Sequence, residues 1–268
     1  MKLKKNIIKI AYTIYFISSV TFAASGDPAW NHDPATQPAW GSLEKVGQPV
    51  PLNYPYADCS IGTKQSPIDL QSEAIVKVLN KPVPRYPKDY PVFYNTGHAV
   101  QVNLSEGYSG KLNIGNDIYP LIQYHLHAPS EHVIGTDTFD GELHFVHVRD
   151  DGKMAVLGVF LEGGHTENTT LQTILDNTPS SGVYNENTGV PIDPKLLLPK
   201  NLRNFYTYGG SLTTPPCSEG ILWYVASKPL EVSDDQITQI KNINTDNEGF
   251  PDNNRLVQDL DGRVPTKK

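Results

Sequence analysis

Only two cysteines, Cys59 and Cys217, occur in the chain, far apart in the sequence. A structural zinc centre closes all four coordination positions with protein ligands, mostly Cys, so that kind of site is excluded. The pair itself is either a disulfide of an oxidising compartment or two unrelated buried thiols. After residue 24 no stretch reaches the roughly 18 apolar residues a membrane span needs. Internal repeats and low-complexity tracts are absent, and helical periodicity is scarce. Positive charge is in deficit too, with a formal net charge of −7.

The N-terminus has a different composition. Lys2, Lys4, Lys5 and Lys9 precede an apolar run from Ile10 to Val20, and Thr21-Phe22-Ala23-Ala24 ends in small residues. This is the pattern of a secretory signal peptide over residues 1–23, cleaved after Ala23 or Ala24, and it predicts export to the periplasm or the medium. Residues 1–23 hold four lysines and no acids, so their removal takes the formal charge from −7 to −11. So acidic a domain does not suit nucleic acid or anionic lipid as a partner; it suits solubility. The residues that remain are enough for one large single-core domain.

Residues 24–56 are rich in Pro, Asn, Asp and Gly without a period, and predict an extended arm over a domain of residues 57–268. Within that domain, short strands alternate with turn punctuation. The segment 99–104 (AVQVNL) alternates, as does 141–150 (GELHFVHVRD), while 154–163 (MAVLGVFLEG) is the continuous apolar run of a buried central strand, and 220–227 (GILWYVAS) is another strand. Helical spacing appears at 169–177 and 233–243, the second with Ser233 as N-cap and Gln236 three residues on. The expected class is mainly β, with a few short surface helices.

Two strands carry the chemistry. In Gln123-Tyr124-His125-Leu126-His127, the period of two puts Gln123, His125 and His127 on one face. In Glu142-Leu143-His144-Phe145-Val146-His147, Glu142, His144 and Val146 share a face and His147 takes the other. If the two strands are neighbours, His125, His127 and His144 meet. Three neutral imidazoles with an open fourth position are the donor set of a catalytic zinc site. Gln123 and Glu142 then serve the second ring nitrogens, fixing tautomer and orientation. The spacing from His125 through His127 to Glu131 also fits the first metal motif of cupins, which hold iron or manganese. That family needs a second motif with a Pro-x-Gly turn before another His, which the segment around His165 lacks.

Four blocks, QSPIDL (65–70), NTGHAVQV (95–102), QYHLHAPSEH (123–132) with GELHFVHV (141–148), and YGGSLTTPPCSEG (208–220) followed by Trp223, resemble the α-class carbonic anhydrases of the secreted bacterial type. The resemblance covers roughly residues 57–258. It implies a large, mostly antiparallel twisted sheet with peripheral helices, and reversible hydration of CO2 to bicarbonate and a proton by hydroxide formed on zinc. By the same resemblance, His125, His127 and His144 are the zinc ligands, and Gln123 and Glu142 their hydrogen-bond partners. Thr213 is the gatekeeper that donates to Glu131, and His98 is the proton shuttle. Val146, Val156, Leu212 and Trp223 form the apolar wall for CO2, with Thr214 a polar lining residue. Cys59 and Cys217 pair as a disulfide, and a homodimer is a state that bacterial relatives adopt.

The match departs at several points. The family's HWGY segment has its nearest counterpart in Ala39-Trp40-Gly41-Ser42, with Ser42 in place of a Tyr that orders water, and Thr96, Gln101 and Ala128 replace common Asn, Asn and Trp. These changes bear on proton transfer and not on the reaction. His132 is expected in a buried hydrogen bond near Glu142, and His32 and His165 in loops. A catalytically silent secreted binding module on the same fold is the alternative function. The presence of all three histidines argues against it.

Overall fold

The structure, a computed structural model, describes residues 26–71, 80–185 and 188–268. The leader expected over residues 1–23 lies outside the described residues. Among the described residues the strands are β1 (Pro82–Arg85), β2 (Val92–Asn95), β3 (Val100–Asn103), β4 (Lys111–Ile114), β5 (Asp117–His127), β6 (Gly141–Val148), β7 (Met154–Gly164), β8 (Tyr184–Asn185), β9 (Phe205–Ser211), β10 (Glu219–Ser233) and β11 (Thr266–Lys267). The helices are α1 (Asp58–Ile61), α2 (Thr169–Asn177) and α3 (Asp234–Glu248), with 3-10 turns at Gln37–Ser42 and Pro194–Leu197.

One sheet runs in the order β11-β9-β10-β7-β6-β5-β3-β2-β8, with β1 and β4 attached beside β5. All its pairings are antiparallel except that of β10 with β7. The mostly antiparallel, mainly β expectation therefore holds, with one parallel pair at the centre. That centre is covered on both faces. On one side Tyr124, Leu126, Leu143, Phe145, Leu157 and Val159 enter a large apolar cluster with α2 and α3. On the other, Val146, Val156, Phe160, Trp223 and Val225 pack with Ile68 and Leu70. Strands buried on both faces need apolar residues at nearly every position, which explains the unbroken run in β7.

α2 begins and ends where its periodicity places it, with the Asn168 side chain accepting from the backbone N–H groups of Thr170 and Leu171. α3 has the expected capping box of Ser233 and Gln236 but runs five residues beyond 243, to a left-handed Gly249. Its last turn, Asn244 to Glu248, is polar: Thr245 and Asp246 are exposed, Asn244 donates to the Pro251 carbonyl, Asn247 donates to the Asn95 side chain, and Glu248 accepts the His32 N–H. β10 likewise outruns its expected end: it shifts register between Ala226 and Leu230, around Pro229, and resumes pairing with β7. A bulge is how a strand accommodates a proline that cannot donate to the ladder.

The segment before residue 57 is not a plain extended arm. It turns through the 3-10 helix and buries Trp30, Trp40 and Tyr56 against Cys217 in a small third cluster. Three large aromatics in one short segment are enough apolar surface to fold a Pro-rich stretch down onto the sheet. Cys59 and Cys217 form a disulfide with Cα atoms 5.0 Å apart. Such a bond fits an exported protein. Among the described residues, no helix is long and apolar enough to cross a membrane.

Candidate metal centre

The pairing of β5 with β6 builds the site. His125 stands opposite His144, His127 opposite Glu142, and Gln123 opposite Val146. Residues opposite one another in an antiparallel pair share a face, so five polar side chains and one valine gather on a single patch. The neighbouring strand β7 places Val156 opposite Val146 and Gly158 opposite His144. A Cβ on Gly158 would lie 2.8 Å from the Glu142 Oε1, so glycine makes room for that carboxylate.

The ring nitrogens of His125, His127 and His144 come within 4.8 Å of one another. Their tautomers follow from their partners. His125 Nδ1 donates to Gln123 Oε1 at 2.9 Å, and His127 Nδ1 donates to the Asn253 carbonyl at 2.8 Å. That leaves Nε2 of each as the lone-pair atom, and His127 Nε2 is buried without a hydrogen-bond partner. His144 is turned the other way: its Nε2 lies 3.0 Å from Glu142 Oε1, leaving Nδ1 toward the other two rings. Burial pushes the His127 imidazole down to about 4 against the opposing charge of Glu131, and burial also holds His125 well below its ordinary range. For His144, burial lowers the pKa but Glu142 outweighs it, and the net direction is upward.

The two carboxylates are almost wholly buried. Glu142 accepts from His132 Nδ1 at 2.8 Å and from the backbone N–H groups of Glu131 and His132. Burial alone would raise Glu142, but His132 and His144 more than offset it and hold it well below the usual carboxylate range. Glu131 accepts the Arg255 N–H at 2.8 Å and the Thr213 hydroxyl, and one of its oxygens has no hydrogen bond. That oxygen lies 3.5 Å from His127 Nε2 and 3.7 Å from His144 Nδ1. Two buried carboxylates beside three imidazoles favour a positive charge at this point, on His144 or on a metal ion. An orphaned ring nitrogen, three convergent nitrogens and that charge balance fit a zinc ion.

The cavity in front is lined by Gln123, the three histidines, Val146, Val156, Leu212, Thr213, Thr214 and Trp223, and also by Trp30, His32 and His98. Every residue expected at the site is thus brought together, with Glu131 and Glu142 behind the lining. A family model described as eukaryotic-type carbonic anhydrase matches residues 51–267. The chain belongs to the α-carbonic anhydrase family. It is 39% identical over 232 residues to a carbonic anhydrase of Nostoc, covering 84% of each chain. To one of Pectobacterium atrosepticum it is 33% identical over 261 residues, covering 96% of this chain and 99% of the other. Among solved structures, the α-carbonic anhydrase of Thermovibrio ammonificans in complex with sulfanilamide superposes with a TM-score of 0.78 at 36% identity, over 90% of this chain and all of that one.

Several histidines stand outside the cluster of three. His147 faces away, as its position in β6 requires, with Nδ1 donating to the Ala155 carbonyl and Nε2 2.7 Å from the Tyr86 hydroxyl. His132 bridges Glu142 and the Tyr208 hydroxyl, 2.6 Å from its Nε2. His32 lies in a loop, as expected, but it is buried, 1% exposed, and lines the cavity. The segment that reaches the cavity is therefore Ala29 to His32, and not Ala39 to Ser42. Ser42 instead donates to the Ala39 carbonyl, outside the lining. The two tryptophans follow identical Pro-Ala pairs, Pro28-Ala29 and Pro38-Ala39, which makes the alignment ambiguous from sequence. Sequence reasoning also missed Asn253 and Arg255. Asn253 accepts from His127 through its carbonyl, while its side chain accepts from the Ala128 N–H and donates to the carbonyls of His98 and Leu126.

Proposed function

We propose that the chain is an exported zinc enzyme that interconverts CO2 with bicarbonate and a proton. The observation that carries this reading is the orphaned, buried His127 Nε2 beside His125 and His144 at the floor of a half-apolar cavity. Nε2 of His125 and His127 and Nδ1 of His144 are the atoms that would hold zinc. When bound there, zinc supplies Lewis acidity and makes hydroxide available at neutral pH. The disulfide and the leader-like residues 1–23 support export.

The chain's own residues divide the remaining work. The Thr213 hydroxyl spends its only proton on Glu131, so toward the cavity it can only accept. An attacking oxygen that donates to it is thereby fixed with a lone pair toward the substrate carbon. Val146, Val156, Leu212 and Trp223 give a small apolar molecule a place beside that oxygen without offering it a charge. His98, on the lining of the same cavity with its side chain 22% exposed, is the base that takes the surplus proton toward bulk water, since an imidazole nitrogen can accept a proton and hand it on.

Stopped-flow CO2 hydration with a pH indicator tests the reading. Activity should disappear when a chelator strips the metal and return with zinc; a chain that binds zinc and hydrates nothing would be a binding module instead. His98→Ala should lower kcat in weak buffer by about tenfold or more. Added imidazole should restore the rate, and an unchanged rate in weak buffer would remove His98 from proton export.

A further inference from the structure

A second group of titratable side chains, His32, His98 and Glu248, gathers beside the cavity that the two histidines line, and the proposed reaction does not account for it. Glu248, the last residue of α3, has a side chain only 4% exposed. It accepts the His32 backbone N–H at 2.9 Å, and His32 Nδ1 lies 3.0 and 3.1 Å from its two oxygens. The same carboxylate accepts from His98 Nδ1 in a short contact. Trp30 stacks on the His98 ring at 4.0 Å between centroids and 10° between planes. The His98 carbonyl is tied to Asn253 at 2.9 Å, and its backbone N–H to the Thr96 hydroxyl at 3.0 Å. Backbone, ring face and one ring nitrogen of His98 are each held.

The chemistry of this clamp is restrictive. Burial would raise the Glu248 carboxyl, but hydrogen bonds from His32 and His98 bring it down to about 2. It stays ionised at any working pH, so it accepts hydrogen bonds and never carries the exported proton. Because it accepts at Nδ1 of both rings, each ring bears Nδ1–H, and the lone pair of each is on Nε2. An unclamped imidazole divides between two tautomers and several rotamers, and loses part of each encounter with an incoming proton to the wrong one.

We propose that Glu248, braced by His32, is a positioning residue for proton export: it holds the His98 ring as one Nδ1–H tautomer in one orientation, so that Nε2 receives each proton and releases it from the same nitrogen to water or buffer. His32 is the brace, supplying two of the three N–H groups that aim the carboxylate. This inference rests on the reading of His98 as the proton acceptor, and names what tunes it.

The test uses the zinc-loaded protein with Glu248→Gln and Glu248→Asp. A glutamine keeps one acceptor oxygen and puts an NH2 donor where the second oxygen accepted the His32 backbone N–H, so it cannot serve all three N–H groups and the clamp on His98 loosens. Long-range 1H–15N correlation spectra of the imidazoles should show His98 and His32 as pure Nδ1–H tautomers in the parent. Glu248→Gln should mix the tautomers of His98, and Glu248→Asp should keep them. In weak buffer Glu248→Gln should lower kcat about three- to tenfold with kcat/KM held within about twofold, imidazole should restore it, and Glu248→Asp should recover most of the loss. Mixed tautomers in the parent, an unchanged kcat in Glu248→Gln, or kcat and kcat/KM falling together would overturn the proposal. So would a second zinc bound per chain and lost in Glu248→Gln, since a metal would displace both Nδ1 protons. A parent that hydrates no CO2 at all would defeat the functional reading while leaving the tautomer result to stand on its own.

Discussion

His144→Ala should abolish zinc-dependent hydration and also weaken the fold, whereas His125→Ala should abolish hydration alone. Both replacements leave two ring nitrogens, too few to hold zinc at a catalytic centre. Losing the Lewis acid forfeits several kcal/mol of charge stabilisation, so hydration should fall by about a thousandfold or more in either variant. The stability difference comes from what each ring touches. His125 is half-buried and bonded to the neutral Gln123. His144 is 1% exposed and lies between two buried carboxylates, 3.0 Å from Glu142 and 3.7 Å from Glu131. Removing it takes away the positive charge nearest the Glu131 oxygen, leaving only the more distant Arg255, and makes Glu142 dependent on His132. A buried carboxylate that loses its partner costs about 3–5 kcal/mol, and the remaining bonds to His132 and to backbone N–H groups should hold the loss toward the lower end. Metal analysis, stopped-flow assay and urea unfolding of both variants decide the matter. Equal unfolding midpoints would mean that His144 acts only as a ligand.

The strand pair was readable because the periodicity of a strand is a strong constraint. Once β5 and β6 are neighbours, a period of two puts His125, His127, His144, Gln123 and Glu142 on one face, and a slip of one residue would turn every one of them away. The same constraint excluded His147. Residues that come to the site from irregular backbone have no such periodicity. Asn253 and Arg255 arrive from a distant segment, where only a chain-crossing hydrogen bond marks them: the Arg255 guanidinium donates to Gln65, to the Ser66 carbonyl and to the Cys59 carbonyl. Glu248 lay beyond the expected end of its helix at residue 243, because nothing in its neighbourhood says that α3 runs on to end against His32 and His98. His32 is the loop residue expected, but its burial was not legible for a related reason, since burial in an aperiodic segment comes from the partner surface and not from local pattern.

Replacing both cysteines with serine should lower stability by about 2–5 kcal/mol while leaving hydration at low temperature nearly intact. The bridge closes a loop of 158 positions, so its reduction restores a large amount of disorder to the unfolded chain. For a domain of this size that should lower Tm by very roughly 5–15 °C. The native contacts around the bridge do not depend on it alone. Cys217 is wholly buried among Trp30, Trp40 and Tyr56, its N–H donates to the Thr214 carbonyl at 2.8 Å, and its own carbonyl accepts from Gln65. Thr213 is held separately, through Glu131, which Arg255 anchors on the other side. Geometry at the metal centre should therefore survive below the lowered melting point, and only the temperature at which it fails should move. Scanning calorimetry and stopped-flow assays at two temperatures, on the parent and on Cys59→Ser/Cys217→Ser, separate the effects. A severalfold fall in kcat/KM well below Tm would show that the bridge shapes the Thr213 loop itself, and the chain-entropy account would then be insufficient.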